Sequence, residues 1–158
     1  MITILVISDT HGKDLQKIED IIHANKYDVT IHCGDHSYPL DKMKELFTYF
    51  VPGNNDINAS QEIIKFKLDQ YNFILMHGHQ FVSHPHSHWI KRLFNYANKN
   101  DADVILFGHS HSYEVKINKD YKILCNPGSA TQPRIGKPTY MVITINNHEI
   151  DFKKKELS

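Results

Sequence analysis

Five short clusters along the chain combine Asp, Asn or His with glycine, and each follows an apolar run. Carboxylate oxygens and imidazole nitrogens together suit ions such as Mn, Fe, Zn or Ni. In Asp9-x-His11 and His109-x-His111 two such groups stand two residues apart, a spacing that at a strand end turns both side chains the same way. The pattern predicts a metal site built from Ser8-Asp9-Thr10-His11-Gly12, Gly34-Asp35-His36, Gly53-Asn54-Asn55-Asp56, His77-Gly78-His79 and Gly108-His109-Ser110-His111.

The apolar runs predict the elements that position these clusters. Near-continuous apolar stretches are typical of buried strands, and apolar residues at helical spacing indicate amphipathic helices. Sites in open α/β sheets gather outside the carboxyl ends of strands, so the five clusters should meet in one place. The predicted strands cover residues 2–8, 28–33, 48–51, 62–68, 72–76, 104–107, 113–117, 121–124, 139–145 and 149–153, and the predicted helices cover residues 14–26, 39–47 and 87–99.

Composition limits the function classes. The chain has 158 residues with 18 Lys and Arg against 18 Asp and Glu, which predicts one soluble domain over residues 1–158. The balanced charge argues against broad nucleic-acid binding, and the apolar stretch at residues 2–7 is too short for a signal sequence or a membrane span. Cys33 and Cys125 each end an apolar run, which predicts buried thiols in a reducing cytoplasm, and neither belongs to a C-x-x-C pair, which argues against a thiolate zinc site.

The order of the five clusters resembles the calcineurin-like metallophosphoesterases, above all their small single-domain bacterial and archaeal phosphodiesterases. The resemblance runs from residue 1 to about residue 135 and includes a late loop, Asn126-Pro127-Gly128-Ser129 with Arg134. It implies an α/β fold of two packed β-sheets flanked by helices, an αββα sandwich. It also implies two divalent metal ions, Mn first, with Ni, Zn, Fe, Co or Mg as the other choices.

The resemblance also implies a role for each site residue. Asp9, His11 and His111 would bind the first ion, and Asp35 would bridge both ions. Asn54, His77 and His109 would complete the second site. The implied reaction is phosphodiester hydrolysis by in-line attack of a hydroxide bridging the two ions. His109, Asp35 and Asn54 are the residues assigned to catalysis.

One position departs from the family pattern. Asn55 stands where many members have the His that protonates the leaving group, and an amide has no acidic proton to give. This favours diesters with good leaving groups, protonation by water, or a substitute such as His36 or His79. Asp56 then serves as a hydrogen-bonding partner of this loop or of a ligand His. Arg134 either holds a phosphate oxygen or lies on the surface.

Three segments, residues 36–41, 55–60 and 79–90, should set specificity for a phosphate-ester small molecule or a nucleotide. The tract from Ser83 to His88 is either a solvated loop or a cleft rim, and Ser87 is a candidate cap for the following helix. Apolar residues near Phe50, Phe81 and Trp89 are candidates for a homodimer interface.

Two other function classes fit less well. A retromer subunit resembles this fold and binds partner proteins, so a catalytically weak metal-binding scaffold is the alternative function. A nuclease subunit like the larger DNA-repair relatives is disfavoured by the neutral charge and the lack of added domains.

Overall fold

The computed structural model describes residues 1–56 and 61–157, so residues 57–60 of the predicted specificity segment 55–60 lie outside the described residues. The first half of the chain carries β1 (Ile2–Ile7), α1 (Leu15–Ala24), β2 (Val29–His32), α2 (Leu40–Leu46), β3 (Tyr49–Phe50), β4 (Ile63–Leu68) and β5 (Tyr71–Met76). A 3-10 turn (His79–Phe81) leads to α3 (His86–Lys99), β6 (Val104–Leu106), β7 (Tyr113–Ile117), β8 (Ile123–Pro127), β9 (Thr139–Asn146) and β10 (Glu149–Glu156).

The described strands form two mixed five-stranded sheets. The first has the order β10-β9-β1-β2-β3 and the second has the order β4-β5-β6-β8-β7. β1, β2 and β3 run parallel in the first sheet, and β5, β6 and β8 run parallel in the second. The carboxyl ends of these parallel strands carry the five polar clusters.

Alternation along the strands explains why their sequences read as unbroken apolar runs. In β1, Ile4 and Val6 face the core between the sheets, whereas Leu5 and Ile7 pack against α1 and α2. Every side chain of such a strand therefore meets an apolar surface. β5 and β6 repeat the pattern in the second sheet: Phe73, Leu75, Val104 and Leu106 face the other sheet, and Ile74, Met76, Ile105 and Phe107 face α3.

The architecture is the predicted αββα sandwich, with α1 and α2 outside the first sheet and α3 outside the second. The predicted cap at Ser87 is wrong, because α3 begins at His86 and its N-cap is Pro85 without a side-chain hydrogen bond. Trp89 is 2% exposed and belongs to the core beneath α3. It is therefore not an exposed interface residue, and Phe50 and Phe81 are themselves half-buried against their own chain.

The two cysteines behave as predicted, since Cys33 and Cys125 are buried free thiols. Burial raises the pKa of both thiols well above the ordinary value, so both are protonated and unreactive. Within residues 1–56 and 61–157, none of the helices combines the length and apolar character needed to cross a bilayer.

Candidate metal centre

The loops after β1, β2, β5 and β6 bring most of the predicted ligands together, and they do so through left-handed backbone. Asp9, His11, Asp35, His109 and His111 all have φ between 49° and 73°. Such conformations are uncommon outside glycine, although Asp, Asn and His tolerate them best, and they cluster at functional sites. Asp9 and His11 thus converge because β1 ends at Ile7 and the loop coils, not because a strand continues with alternating side chains.

Backbone hydrogen bonds fasten the loop after β1 to the loop after β2. The Asp9 amide donates to the Gly34 carbonyl at 3.1 Å, and the His11 amide donates to the Asp35 carbonyl at 3.0 Å. Two glycines then allow other loops to approach the carboxylates. A Cβ on Gly53 would lie 2.1 Å from Asp35 Oδ1, and one on Gly108 would lie 2.6 Å from Asp9 Oδ2.

Asp9 is fully buried and presents one carboxylate oxygen to the site. Its Oδ2 accepts hydrogen bonds from the Ser8 hydroxyl at 2.6 Å and from the His109 amide at 3.1 Å. Its Oδ1 is buried without a hydrogen-bond partner and lies 3.4 Å from His111 Nε2, 3.8 Å from His77 Nε2 and 3.9 Å from His11 Nε2. A buried carboxylate oxygen without a partner is costly unless a cation satisfies it.

His77 and His111 are each oriented by a backbone carbonyl. His77 Nδ1 donates to the Cys33 carbonyl at 2.9 Å, and His111 Nδ1 donates to the Gln132 carbonyl at 2.7 Å. Each bond fixes the ring and leaves Nε2 for the site, which is the usual arrangement of a metal-binding histidine. His77 Nε2 is also buried without a hydrogen-bond partner.

Asp35 lies between the imidazoles of His11 and His77, with its Oδ2 at 3.9 Å and 3.2 Å from their Nε2 atoms. The Asn55 amide and side chain donate to its two oxygens at 2.8 Å and 3.0 Å. Burial opposes ionisation of Asp35, but the nearby His77 and the two hydrogen bonds from Asn55 hold the pKa of that carboxyl well below its usual range. Asp35 is therefore negatively charged throughout the neutral range.

The imidazoles respond to the two carboxylates in different ways. Burial by itself would lower the pKa of His77, but the close contact with Asp35 and the charges of Asp9 and Asp35 raise it. The contact with Asp9 likewise raises the pKa of His111, against its burial. For His109, burial and then the charge of His77 lower the pKa, so its ring is neutral at pH 7.

Two groups of described residues could each hold an ion. Asp9, His11 and His111 form one, and Asp9, Asp35 and His77 form the other, with the ligand atoms of each group within 4.8 Å of one another. Asp9 belongs to both groups, while Asp35 stands between His11 and His77. Two of the four buried side-chain atoms that lack a hydrogen-bond partner among the described residues, Asp9 Oδ1 and His77 Nε2, lie 3.8 Å apart in this space. Two carboxylates and three imidazoles fit divalent transition-metal ions.

His109 and Asn54, the remaining predicted ligands, lie at the edge of this arrangement. The His109 backbone binds Asp9, and its ring lies 5.2 Å from the His77 ring, centroid to centroid. Asn54 is exposed, and the residue in contact with Asp35 is its neighbour Asn55. Asp56 fastens the loop, since its carboxylate accepts hydrogen bonds from the backbone amides of His36, Ser37 and Gly53.

Several positioning residues escaped the sequence reasoning. The Ser129 hydroxyl donates to the Asp9 carbonyl at 2.7 Å, and Asn126 Nδ2 donates to the Gly108 carbonyl at 3.0 Å. Both residues belong to the segment Asn126-Pro127-Gly128-Ser129, at the end of β8 and just after it, which the family resemblance included without giving it a role. His32 is fully buried, and burial lowers its pKa, so it is neutral and links β2 to Thr10 through a 3.0 Å hydrogen bond.

A cavity of about 710 Å³ opens beside the candidate metal centre. This volume lies in the range of pockets that take small organic ligands. The side chains that face it come from the loop before α3, the start of α3, the loop after β6 and the loop after β8. They are Val82, Ser83, His84, His86, Trp89, His109, Ser110, His111, Gln132, Pro133 and Arg134.

Two known proteins resemble the chain over nearly their whole length. It is 41% identical over 153 residues to a probable metallophosphoesterase of Mycoplasma genitalium, covering 95% of this chain and 91% of that protein. It is 24% identical over 173 residues to a phosphodiesterase of Methanocaldococcus jannaschii, covering 96% of this chain and 93% of that protein.

Solved structures share the fold. A conserved protein of Streptococcus pneumoniae, described as a predicted phosphoesterase, superposes with a TM-score of 0.84 at 28% identity, covering 98% of this chain and 88% of that one. Vps29 of Entamoeba histolytica, in complex with zinc, gives a TM-score of 0.75 at 22% identity, covering 98% of this chain and 99% of that one, which is a likeness of fold.

The family model for the calcineurin-like phosphoesterase superfamily domain matches residues 2–148 of the chain. That span takes in all five polar clusters, the three helices and every described strand except β10. With this match and the Mycoplasma relative, the resemblance seen in the five clusters is confirmed: the chain belongs to the calcineurin-like phosphoesterase superfamily and is of its small bacterial and archaeal type.

Proposed function

We propose that the chain, as a single domain in the cytoplasm, is a divalent-metal-dependent phosphodiesterase that acts on a small phosphate ester or a nucleotide. The observation that carries the proposal is the pair of buried, unsatisfied ligand atoms, Asp9 Oδ1 and His77 Nε2, within two groups of side chains that could each hold a metal ion. Membership of the superfamily makes phosphate-ester hydrolysis the reaction class. The name of the Methanocaldococcus relative supports a diester rather than a monoester.

Two ions would be held by the predicted set of seven side chains, with Mn the first choice of metal. When bound, such ions lower the pKa of water and neutralise charge on the phosphate oxygens. Asp9 and Asp35 supply the negative charge that holds dications, and the neutral imidazoles complete the ligand set without cancelling the positive charge that attracts phosphate. The proposed ligands are Asp9, His11, Asp35, Asn54, His77, His109 and His111.

The cavity supplies the rest of the site. Arg134 is exposed, lines the cavity together with His109 and His111, and is suited to hold a non-bridging phosphate oxygen. The neutral ring of His109 can donate a hydrogen bond to an equatorial oxygen as charge develops there. Of the specificity segments proposed from the sequence, residues 82–84, 86 and 89 within 79–90 face this cavity.

The test compares hydrolysis of bis-p-nitrophenyl phosphate and p-nitrophenyl phosphate by metal-stripped protein, with Mn, Ni, Zn or Mg added back. We expect metal-dependent turnover that prefers the diester and is lost in Asp35→Asn. The matched control is Asp28→Asn, since Asp28 is an exposed carboxylate that accepts a hydrogen bond from the Thr3 amide far from the site. Binding of two ions without turnover of either ester would favour the scaffold function instead.

A further inference from the structure

We propose that His86, held in place by Glu114, donates the proton to the leaving oxygen of the diester at the wall of the cavity. The proposal rests on the phosphodiesterase function and adds to it the proton donor that Asn55 cannot supply. His86 shares the cavity with His109 and His111, two proposed metal ligands. His86 therefore lies at the wall of the cavity beside the candidate metal centre, where an ester group of the substrate can lie.

Glu114 gives His86 a defined orientation. His86 Nε2 lies 3.0 Å from Glu114 Oε1 and 3.1 Å from Oε2, so Nε2–H donates to the carboxylate. Nδ1 is then the nitrogen left to meet a substrate. Glu114 is 18% exposed and lies on β7, 28 residues away in the sequence, so the pair is a tertiary contact. Lys116 Nζ, 3.9 Å from Glu114 Oε2, is the other charged group at this carboxylate.

Trp89 fixes the start of α3 against the metal-centre loops. Its Nε1 donates to the Gly78 carbonyl at 3.0 Å, and its ring is packed against Phe107. The His86 ring lies 5.4 Å from the Trp89 ring, which in turn lies 6.0 Å from the His109 ring. His86 is thus held at a set place relative to the centre, although its own side chain is half exposed.

The two substitutes suggested by the sequence are less well placed. His36 is buried, its Nδ1 accepts the Tyr38 amide at 3.2 Å and its Nε2 lies 3.5 Å from Asp56 Oδ2, so both ring nitrogens face protein groups. Among the described residues that line the cavity, neither His36 nor His79 appears. His84 lines the cavity but has no carboxylate holding it among the hydrogen bonds of the described residues.

The charge of the cavity wall fits the leaving side of an anionic ester. Arg134 is the cationic side chain that lines it, none of its described lining residues is acidic, and Glu114, which contacts His86, is not among them. In the step proposed, the oxygen of water forms a bond to phosphorus and the bond from phosphorus to the leaving oxygen breaks. The leaving oxygen keeps the electron pair and takes the Nδ1 proton of His86. Water releases its own proton to solvent, and His86 regains one from solvent.

The test uses two diesters whose leaving groups differ in basicity, bis-p-nitrophenyl phosphate and diphenyl phosphate. p-Nitrophenolate departs without a proton, whereas phenolate is helped by one. A general acid contributes about 10²-fold or more to rate, so His86→Gln should lower kcat for diphenyl phosphate by about 100-fold and for bis-p-nitrophenyl phosphate by less than about threefold. Glu114→Gln, a change at a positioning residue, should shift the two substrates in the same unequal way but by less.

The control variant is His88→Gln, because His88 lies in the same first turn of α3, is exposed, and does not face the cavity. It should leave both rates unchanged. Equal losses for both diesters in His86→Gln, or no loss for either, would overturn the role of His86 while leaving the phosphodiesterase function standing. If the unmodified protein hydrolyses neither diester with any metal, the phosphodiesterase function itself is overturned, and the role of His86 with it.

Discussion

Replacing Asp9 by Asn should disable both ion sites while leaving the fold intact. The isosteric amide has one oxygen and one NH₂ to place where the carboxylate had two oxygens. The Oδ2 position receives the His109 N–H at 3.1 Å and the Ser8 hydroxyl at 2.6 Å, so the amide oxygen belongs there. The NH₂ then takes the Oδ1 position, where it faces the imidazoles and cannot bind a cation.

The loss of Mn²⁺ affinity can be sized from the cost of the other orientation of the side-chain amide in Asp9→Asn. Turning the amide so that its oxygen meets the ion would place NH₂ against the partly buried His109 N–H, which costs about 1–3 kcal/mol because that donor loses its acceptor. The Ser8 hydroxyl can rotate and adapt. Together with the lost negative charge, we expect Mn²⁺ affinity to fall by about 100-fold or more.

Isothermal titration of Mn²⁺ into metal-stripped protein measures this directly, with thermal unfolding of the metal-free variant as the check on folding. Asp28→Asn is again the matched control, because it also removes a carboxylate that accepts a backbone N–H, but on the surface. A folded Asp9→Asn protein that binds two ions within about threefold of the unmodified affinity would refute the assignment of Asp9 to both sites.

Two more predictions test the surroundings of Asp9. The negative charges nearby raise the pKa of His77 and His111, and both Nε2 atoms must lose their protons to bind an ion. The affinity for Mn²⁺ should therefore fall as the pH drops through the raised pKa values and recover above them. Titrations of Mn²⁺ at pH 8 and pH 6 in two buffers should show weaker binding and more protons released at pH 6. Gly53→Ala should shift Asp35 and lower the free energy of unfolding by about 1–3 kcal/mol, because a Cβ there lies 2.1 Å from Asp35 Oδ1. Urea unfolding of the metal-free variant measures this loss of stability. An unchanged unfolding midpoint would contradict the close packing of Gly53 against Asp35.

The fold was largely predictable because its central strands, β1, β2, β5, β6 and β8, are buried along most of their length. Such strands give unbroken apolar runs, so their positions were predicted to within a few residues, and the polar loops between them were equally plain. Details that depend on tertiary contacts were not. Ser87 is a residue type favoured at helix N-caps, yet the N-cap of α3 is Pro85, two residues earlier. The sequence placed Trp89 among the candidate interface residues, but its indole N–H donates to the Gly78 carbonyl and its ring is buried.

Five residues that meet at the candidate site, Asp9, His11, Asp35, His77 and His111, were predictable, but their geometry was not. Strand-end positions identified Asp9, His11 and His111, which the structure brings within reach of one another. The left-handed backbone that achieves this has no reliable signature in single residues. Nor could the sequence show that Asn55, rather than Asn54, would bind Asp35, since adjacent residues of one type differ only in the direction the loop gives them.

The candidate metal centre spans the seam between the two sheets, and this explains why it needs loops from both. Asp9, His11 and Asp35 come from the first sheet, whereas His77 and His111 come from the second. Across the seam, His77 Nδ1 donates to the Cys33 carbonyl and the His109 amide donates to Asp9, and these are two of the hydrogen bonds that join the halves. Since ligand spacing depends on how the sheets pack, apolar residues between the sheets set the geometry of the centre. Ions bound there would in turn stabilise the packing of the sheets, because only the folded chain presents the full ligand set.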